Sequence, residues 1–190
     1  MSNKLVIGVV AVVVIGIGAL VVVQKTKPAP VLLGVQHPDQ GRTHITRGQS
    51  HPAYNSDPAS SGWHYNNAGA PTDWGVYTSE IAPEVYIHNE EHGGIIITYN
   101  PKLLPAAQIK ELQALFVPPY TDPNFKPTKA LVFPKSSDKY PIELASWTYT
   151  YDMNSYNQAT LETYYQQHFD QSPEPTSGPF NTPINQAAGN

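Results

Sequence analysis

Two histidines and two glutamates stand within five positions of this chain, in the string "IHNEEHGG" at residues 87–94. Imidazole in its neutral form is the commonest protein ligand for transition metals. His88 and His92 are four apart. That spacing puts both rings on one face of a helix, and, because it is even, also on one face of a strand. The choice decides which carboxylate joins them: Glu91 on a helix, Glu90 on a strand. The string also fits H-x-x-E-H, a zinc-protease pattern carried on a helix. Gly93, Gly94 and the run Ile95-Ile96-Ile97 follow at once and disfavour a continuing helix. The plain alternative is a strand and turn whose histidines bond to their neighbours.

Six of the seven histidines fall between positions 37 and 92, all in polar or glycine- and proline-rich surroundings. His51 in "SHPAY" and His64 in "SGWHY" each sit beside a turn and a tyrosine. Taken singly, each is a residue that stitches a loop through hydrogen bonds. Taken together, His51, His64, His88 and His92, with Glu91, form a candidate set for zinc or copper, both of which accept imidazole. The chain has no cysteine, so thiolate sites and cysteine nucleophiles are excluded. Met153 is a candidate soft ligand for copper, although a lone methionine is more often packing. The roles of His37, His44 and Glu90 stay open, and His168 beside Phe169 reads as a residue at the core edge. No nucleophile elbow, phosphate-binding loop or dinucleotide fingerprint is present.

The motifs "GQSHPAYNSDPASSGWHY", "WGVY", "IHNEEHGGIIITYNP" and the late "ASW" resemble, in order, the bacterial domain-of-unknown-function family numbered 3105. That resemblance covers about His37 to Asp170. One family pattern, near Y-x-x-x-P-P-T-S-G-P-H-Y, is carried by Tyr54, Pro58, Ser61, Gly62, His64 and Tyr65. The other, near H-N-L-E-H-G, is carried by His88, Asn89, Glu91, His92 and Gly93. Trp63 stands where the pattern has proline, and Glu90 where it has leucine. The second departure implies that Glu91 is the carboxylate the motif needs, in a helical turn or bulge closed by Gly93. Glu90 then becomes an exposed charge or an acceptor for an imidazole N–H. The family implies a small protein, often with one N-terminal membrane anchor, and no activity to carry over.

These residues need a frame. Leu5 to Val23 is an uncharged run of 19 residues, long enough as a helix to cover roughly 28 Å of hydrocarbon. It exceeds the apolar part of a cleaved signal peptide, and an uncleaved anchor is expected. A four-residue tip (1–4) precedes it and a proline-bearing linker (24–36) follows. The domain at 37–170 is expected outside the cytoplasm, since long domains translocate largely regardless of charge. Residues 171–190, rich in proline and small polar groups, read as a flexible tail.

Within the domain, residues 37–78 form a long loop region, and its aromatics Tyr54, Trp63, Tyr65, Trp74 and Tyr77 argue for order. Strands are expected at "EVYIH", "GIIITYN", "KALVFP" and "PIELASWTYTYD". Helices are expected at "LPAAQIKELQALF" and "NQATLETYYQQHF". The order β-β-α-β-β-α predicts an α+β fold, a mainly antiparallel sheet with two helices. Charged residues make up only 14% and the balance is −4, which leaves no basic surface for nucleic acid.

Three functions fit this pattern. The first is a membrane-anchored metal-binding domain outside the cytoplasm. The second is a metal-dependent hydrolase, with Glu91 or Glu90 as base. The third is a non-catalytic interaction module with structural histidines and a protein partner unknown from the sequence.

Overall fold

The central strand of the computed structural model is Ile95–Tyr99, and all five of its residues are buried. The structure describes residues 31–176 and the strand at 182–183. In chain order its strands are β1 (Val35–Gln36), β2 (His44–Ile45), β3 (His64–Tyr65), β4 (Gly75–Val76), β5 (Ile95–Tyr99), β6 (Ala130–Pro134), β7 (Ile142–Ser146), β8 (Tyr149–Met153) and β9 (Thr182–Pro183). Its helices are α1 (Pro83–Glu91), α2 (Ala106–Leu115) and α3 (Gln158–His168).

Seven strands form one sheet in the order β1-β8-β7-β5-β6-β4-β9. From β1 to β5 the neighbours are antiparallel; from β5 through β6 and β4 to β9 they are parallel. The fold is α+β, and antiparallel pairing holds the half with the long hairpin. The parallel half arises because β5, α2 and β6 form a β-α-β crossover, which the spacing of "GIIITYN" and "KALVFP" permits.

Side chains of β5 alternate between two apolar clusters, as the period of two requires. Ile95, Ile97 and Tyr99 join Leu112, Leu115 and Phe116 of the α2 region and Leu161, Tyr164 and Tyr165 of α3. Ile96 faces the other way, with Leu131, Phe133 and Ala145, onto Val85, Tyr86 and Ile87 of α1 and onto Trp74, Tyr77 and Trp147. The sheet therefore lies between α2 and α3 on one face and α1 with the loop region on the other. Asn157 caps α3 by accepting from the Thr160 N–H at 3.0 Å, and the expected helices at 104–116 and 157–169 are both present.

Two local expectations fail. The sequence predicts a strand at "EVYIH", and the structure has α1 there, a third helix. Val85 to Glu91 are all buried. A helix enclosed on every side shows no apolar stripe, and β-branched Val85 and Ile87 imitate a strand. Pro83 in the first turn, with Glu84 beside it, starts the helix. "PIELASWTYTYD" is two strands, not one. Ser146 pairs with Tyr149 across a two-residue turn, in which Thr148 takes φ 64°. The Thr148 N–H donates to the Ser60 carbonyl at 2.7 Å, which holds a conformation that threonine seldom adopts alone.

The ends of the domain also join the fold. Val35–Gln36, placed by sequence in the linker, pairs with β8 as an edge strand. Thr182–Pro183, placed in the tail, pairs with β4. Among the described residues no helix is long and apolar enough to cross a membrane; the apolar run at 5–23 and the tip at 1–4 lie outside them.

Helix α1 ends sharply, and this ending sets the site. Gly94 N–H donates to Asn89 O at 3.0 Å and Gly93 N–H to Glu90 O at 2.9 Å, with Gly93 at φ 89°. This pair of bonds is the Schellman arrangement, which favours glycine at the left-handed position. A Cβ on Gly94 would lie 2.2 Å from the Trp74 ring. Gly94→Ala is therefore expected to destabilise the domain by about 1–3 kcal/mol, read as a lowered midpoint in chemical denaturation. An unchanged midpoint would show that the indole yields without cost.

Candidate metal centre

Three elements carry the imidazoles into one place. Strands β2 and β3 run parallel, and their register sets His44 directly beside His64. Helix α1 packs along β3 and brings His88, Glu91 and, at its C-cap, His92. Ring centres are 4.8 Å apart for His44–His64, 5.1 Å for His64–His88, 5.4 Å for His44–His88 and 4.8 Å for His88–His92. Each of His44, His64 and His88 offers a nitrogen within 4.8 Å of the others, and a nitrogen of His88, a carboxylate oxygen of Glu91 and a nitrogen of His92 lie equally close together.

The hydrogen bonds say which nitrogen is available. His64 Nδ1 lies 2.8 Å from the Gly62 carbonyl. His88 Nδ1 lies 2.6 Å from the Tyr65 carbonyl. His92 Nδ1 lies 3.1 Å from the Glu174 carbonyl. A carbonyl only accepts, so Nδ1 carries a proton in all three, and the neutral ring then has its lone pair on Nε2. In His64 that nitrogen also lies 3.2 Å from Glu91 Oε2, a hydrogen bond that needs one proton between the two. Metal-binding histidines are commonly held this way, with the second nitrogen donating to a fixed acceptor. Burial, the largest effect, pushes His64 and His88 below the ordinary histidine range, against the carbonyls and Glu91, which raise them. Both are kept in the neutral form that binds metal.

Glu91 is the carboxylate at the centre. One oxygen sits 3.2 Å from His64 Nε2 and 3.7 Å from His44 Nε2; the other is 3.8 Å from Arg42 Nε. Around a tetrahedral zinc, donor atoms about 2.0–2.1 Å from the ion lie roughly 3.3 Å from one another. The His64–Glu91 pair stands at that spacing, which is also that of a hydrogen bond, and His44 Nε2 at 3.7 Å lies a little outside it, so a divalent ion fits here only with side-chain shifts. Glu91 is 2% exposed, whereas Arg42 and His44 are 43% and 44% exposed. Solvent therefore reaches the cluster from one side.

Of the residues nominated from sequence, His64, His88, His92 and Glu91 meet here and His51 does not. Its Nε2 pairs with Glu84 at 3.2 Å, its Nδ1 with the Pro52 carbonyl at 2.8 Å, and its ring stacks on Trp63. His44 takes the place expected of His51. It was missed because a two-residue parallel bridge leaves no periodic trace, although "RTHI" and "GWHY" each carry a histidine inside their strand. His37 bonds Thr150 on β8 and His168 bonds the Leu33 carbonyl; both are structural. Met153 is buried in the apolar core and supplies no sulfur to the site. Asn89 explains its place in the motif by clamping both backbone groups of Thr72, at 3.0 and 2.8 Å.

Glu90 is neither exposed nor bonded to an imidazole. It is fully buried, and neither carboxyl oxygen has a hydrogen-bond partner among the described residues. Burial drives it well toward the protonated form. A further acidic group, Asp57, Asp138 and Glu143, contains its own cation, since Lys135 Nζ pairs with Asp57 and lies 2.6 Å from Asp138.

A model for proteins of unknown function, DUF3105, matches residues 44–180. The chain belongs to that family. The match begins at His44 and includes every residue of the cluster except Arg42. No curated protein and no solved structure matches the chain.

The buried carboxyl yields a prediction with a sign. In the unfolded chain Glu90 titrates near 4.5, and in the folded chain at higher pH. Unfolding releases its proton between the two values, so the native state loses stability as pH rises through that window. Glu90→Leu removes the penalty and is expected to stabilise by about 1–3 kcal/mol near pH 8. The gain should shrink toward pH 5. Urea unfolding at both pH values checks this, and a loss of stability at pH 8 would contradict it.

Proposed function

We propose that this protein is a membrane-anchored domain outside the cytoplasm that binds one divalent transition-metal ion, zinc or copper. The observation that carries the proposal is the convergence of imidazoles whose Nδ1 protons are already committed to main-chain carbonyls. His64, His88 and Glu91 form the middle of the site, with His44 on one side and His92 on the other. A donor set of nitrogen and oxygen suits zinc or cupric ion, while cuprous ion favours sulfur, and Met153 lies in the core. Membrane attachment rests on the uncharged run at 5–23. The side of the membrane rests on the ease with which long domains translocate.

A second function, metal-dependent hydrolysis, is favoured by two features. The H-x-x-E-H string stands on a helix, the context its zinc-protease counterpart requires. The side bearing His44 and Arg42 is open to solvent, which leaves room for a metal-bound water with Glu91 near it as base. Coordination closed by four protein ligands would exclude this function while leaving metal binding intact. Nothing in the site favours an interaction module over these two.

The full chain, purified in detergent without a histidine tag, is expected to take up about one equivalent of zinc or copper. Asn in place of both His64 and His88 should weaken binding by more than about 100-fold, since even outer groups are worth 10–100-fold. Elemental analysis and chelator competition measure both effects. A folded chain that takes up neither metal at micromolar concentration contradicts the proposal.

A further inference from the structure

The chain returns to the site after α3. Residues Pro173-Glu174-Pro175 cross the end of α1, and every polar group of Glu174 is used there. Its N–H donates to the Glu91 carbonyl at 3.0 Å. Its carbonyl accepts from His92 Nδ1 at 3.1 Å. Its carboxylate pairs with Arg42 Nη1 at 2.6 Å, and the same guanidinium lies beside Glu91. Proline fixes its own φ and restricts the residue before it to extended conformations. Glu174 has a proline on each side, so its backbone is held extended before any contact forms. The Glu91 carbonyl belongs to the last turn of α1 and has no partner within the helix, so an outside donor satisfies it.

His92 differs from the other two oriented histidines in where its acceptor comes from. His64 and His88 lean on Gly62 and Tyr65, residues at β3. His92 leans on a segment 82 positions away. The anchorage is reinforced next to it. Asp170 N–H donates to Gly93 O at 3.0 Å, and Lys129 Nζ donates to the His92 carbonyl at 3.0 Å while pairing with Asp170. The chain just after α3 is thereby fixed to the end of α1 at Asp170, three residues before the clip.

We infer that Pro173-Glu174-Pro175 is a clip that completes the metal centre, with Glu174 a positioning residue that sets the tautomer of His92 and steadies Glu91. The metal-affinity consequence rests on the function proposed above; the tautomer consequence does not. The clip covers the α1 end and leaves the His44 side open, so it tunes the ligand set without closing the approach from solvent.

The test uses the full-length chain and a Pro173→Gly/Pro175→Gly double variant, which keeps the Glu174 side chain but frees its backbone. In the metal-free wild type, long-range ¹H–¹⁵N spectra should show the proton of His92 on Nδ1. In the double variant His92 should shift toward the Nε2–H form, while His64 and His88 keep Nδ1–H and certify an intact fold. Zinc affinity by chelator competition should fall about tenfold. In a His92→Asn background the two glycine substitutions should cost clearly less, only the part that acts through Glu91. An unchanged His92 tautomer, or an equal loss of affinity with and without His92, overturns the inference. If the wild type takes up no zinc, the tautomer result decides the clip alone.

Discussion

Three imidazoles in this domain give their Nδ1 protons to main-chain carbonyls, and the character of the site depends on that single constraint. A histidine ring free to choose its tautomer is a hydrogen-bonding group like many others. A ring whose Nδ1 is committed presents a lone pair on Nε2 and nowhere else. The acceptors are backbone atoms, so their positions are set by the fold. Gly62 stands at a turn with φ 118°, just before β3, and Tyr65 lies within β3. The first motif thus supplies one histidine and the acceptors for two.

The second motif supplies the frame that the first one needs. Asn89 ties α1 to the loop at Thr72, and the Gly93-Gly94 ending turns the chain from α1 directly into β5. Glycine is required at both positions for different reasons. Gly93 takes the left-handed conformation, and Gly94 lets the Trp74 ring lie against the backbone. Glu90 is the discordant residue, a buried carboxyl with no hydrogen-bond partner among the described residues, beside the central Glu91. Adjacent residues on a helix point about 100° apart, since 3.6 residues complete a turn. One carboxylate therefore reaches the cluster while its neighbour enters the apolar interior.

Much of this was legible in the sequence, and the remainder was hidden for physical reasons. The helices α2 and α3 show their apolar positions at helical spacing, and β5 and β6 are short β-branched runs. His64, His88, His92 and Glu91 were recognisable because their motifs place ionisable groups among glycines, where burial in a core does not account for them. Helix α1 was not recognisable as a helix, because contacts on all its sides erase the stripe by which helices are read. The exchange of His44 for His51 has a similar origin. Which loop histidine joins a cluster depends on a β2–β3 register set across twenty residues of mostly irregular chain. The Pro-Glu-Pro segment carried the opposite signal, since proline-rich composition reads as mobile. Here the same prolines pre-set an extended backbone that fits the end of α1.

The fold and the chemistry meet at the nitrogen that faces the cluster. The most direct test is a crystal structure of the zinc- or copper-loaded protein with anomalous data collected at the metal edge. The account predicts one peak about 2.0–2.1 Å from Nε2 of His64 and of His88, with Nδ1 of each still bonded to Gly62 and Tyr65. A peak bound through Nδ1, or lodged elsewhere on the molecule, would contradict it.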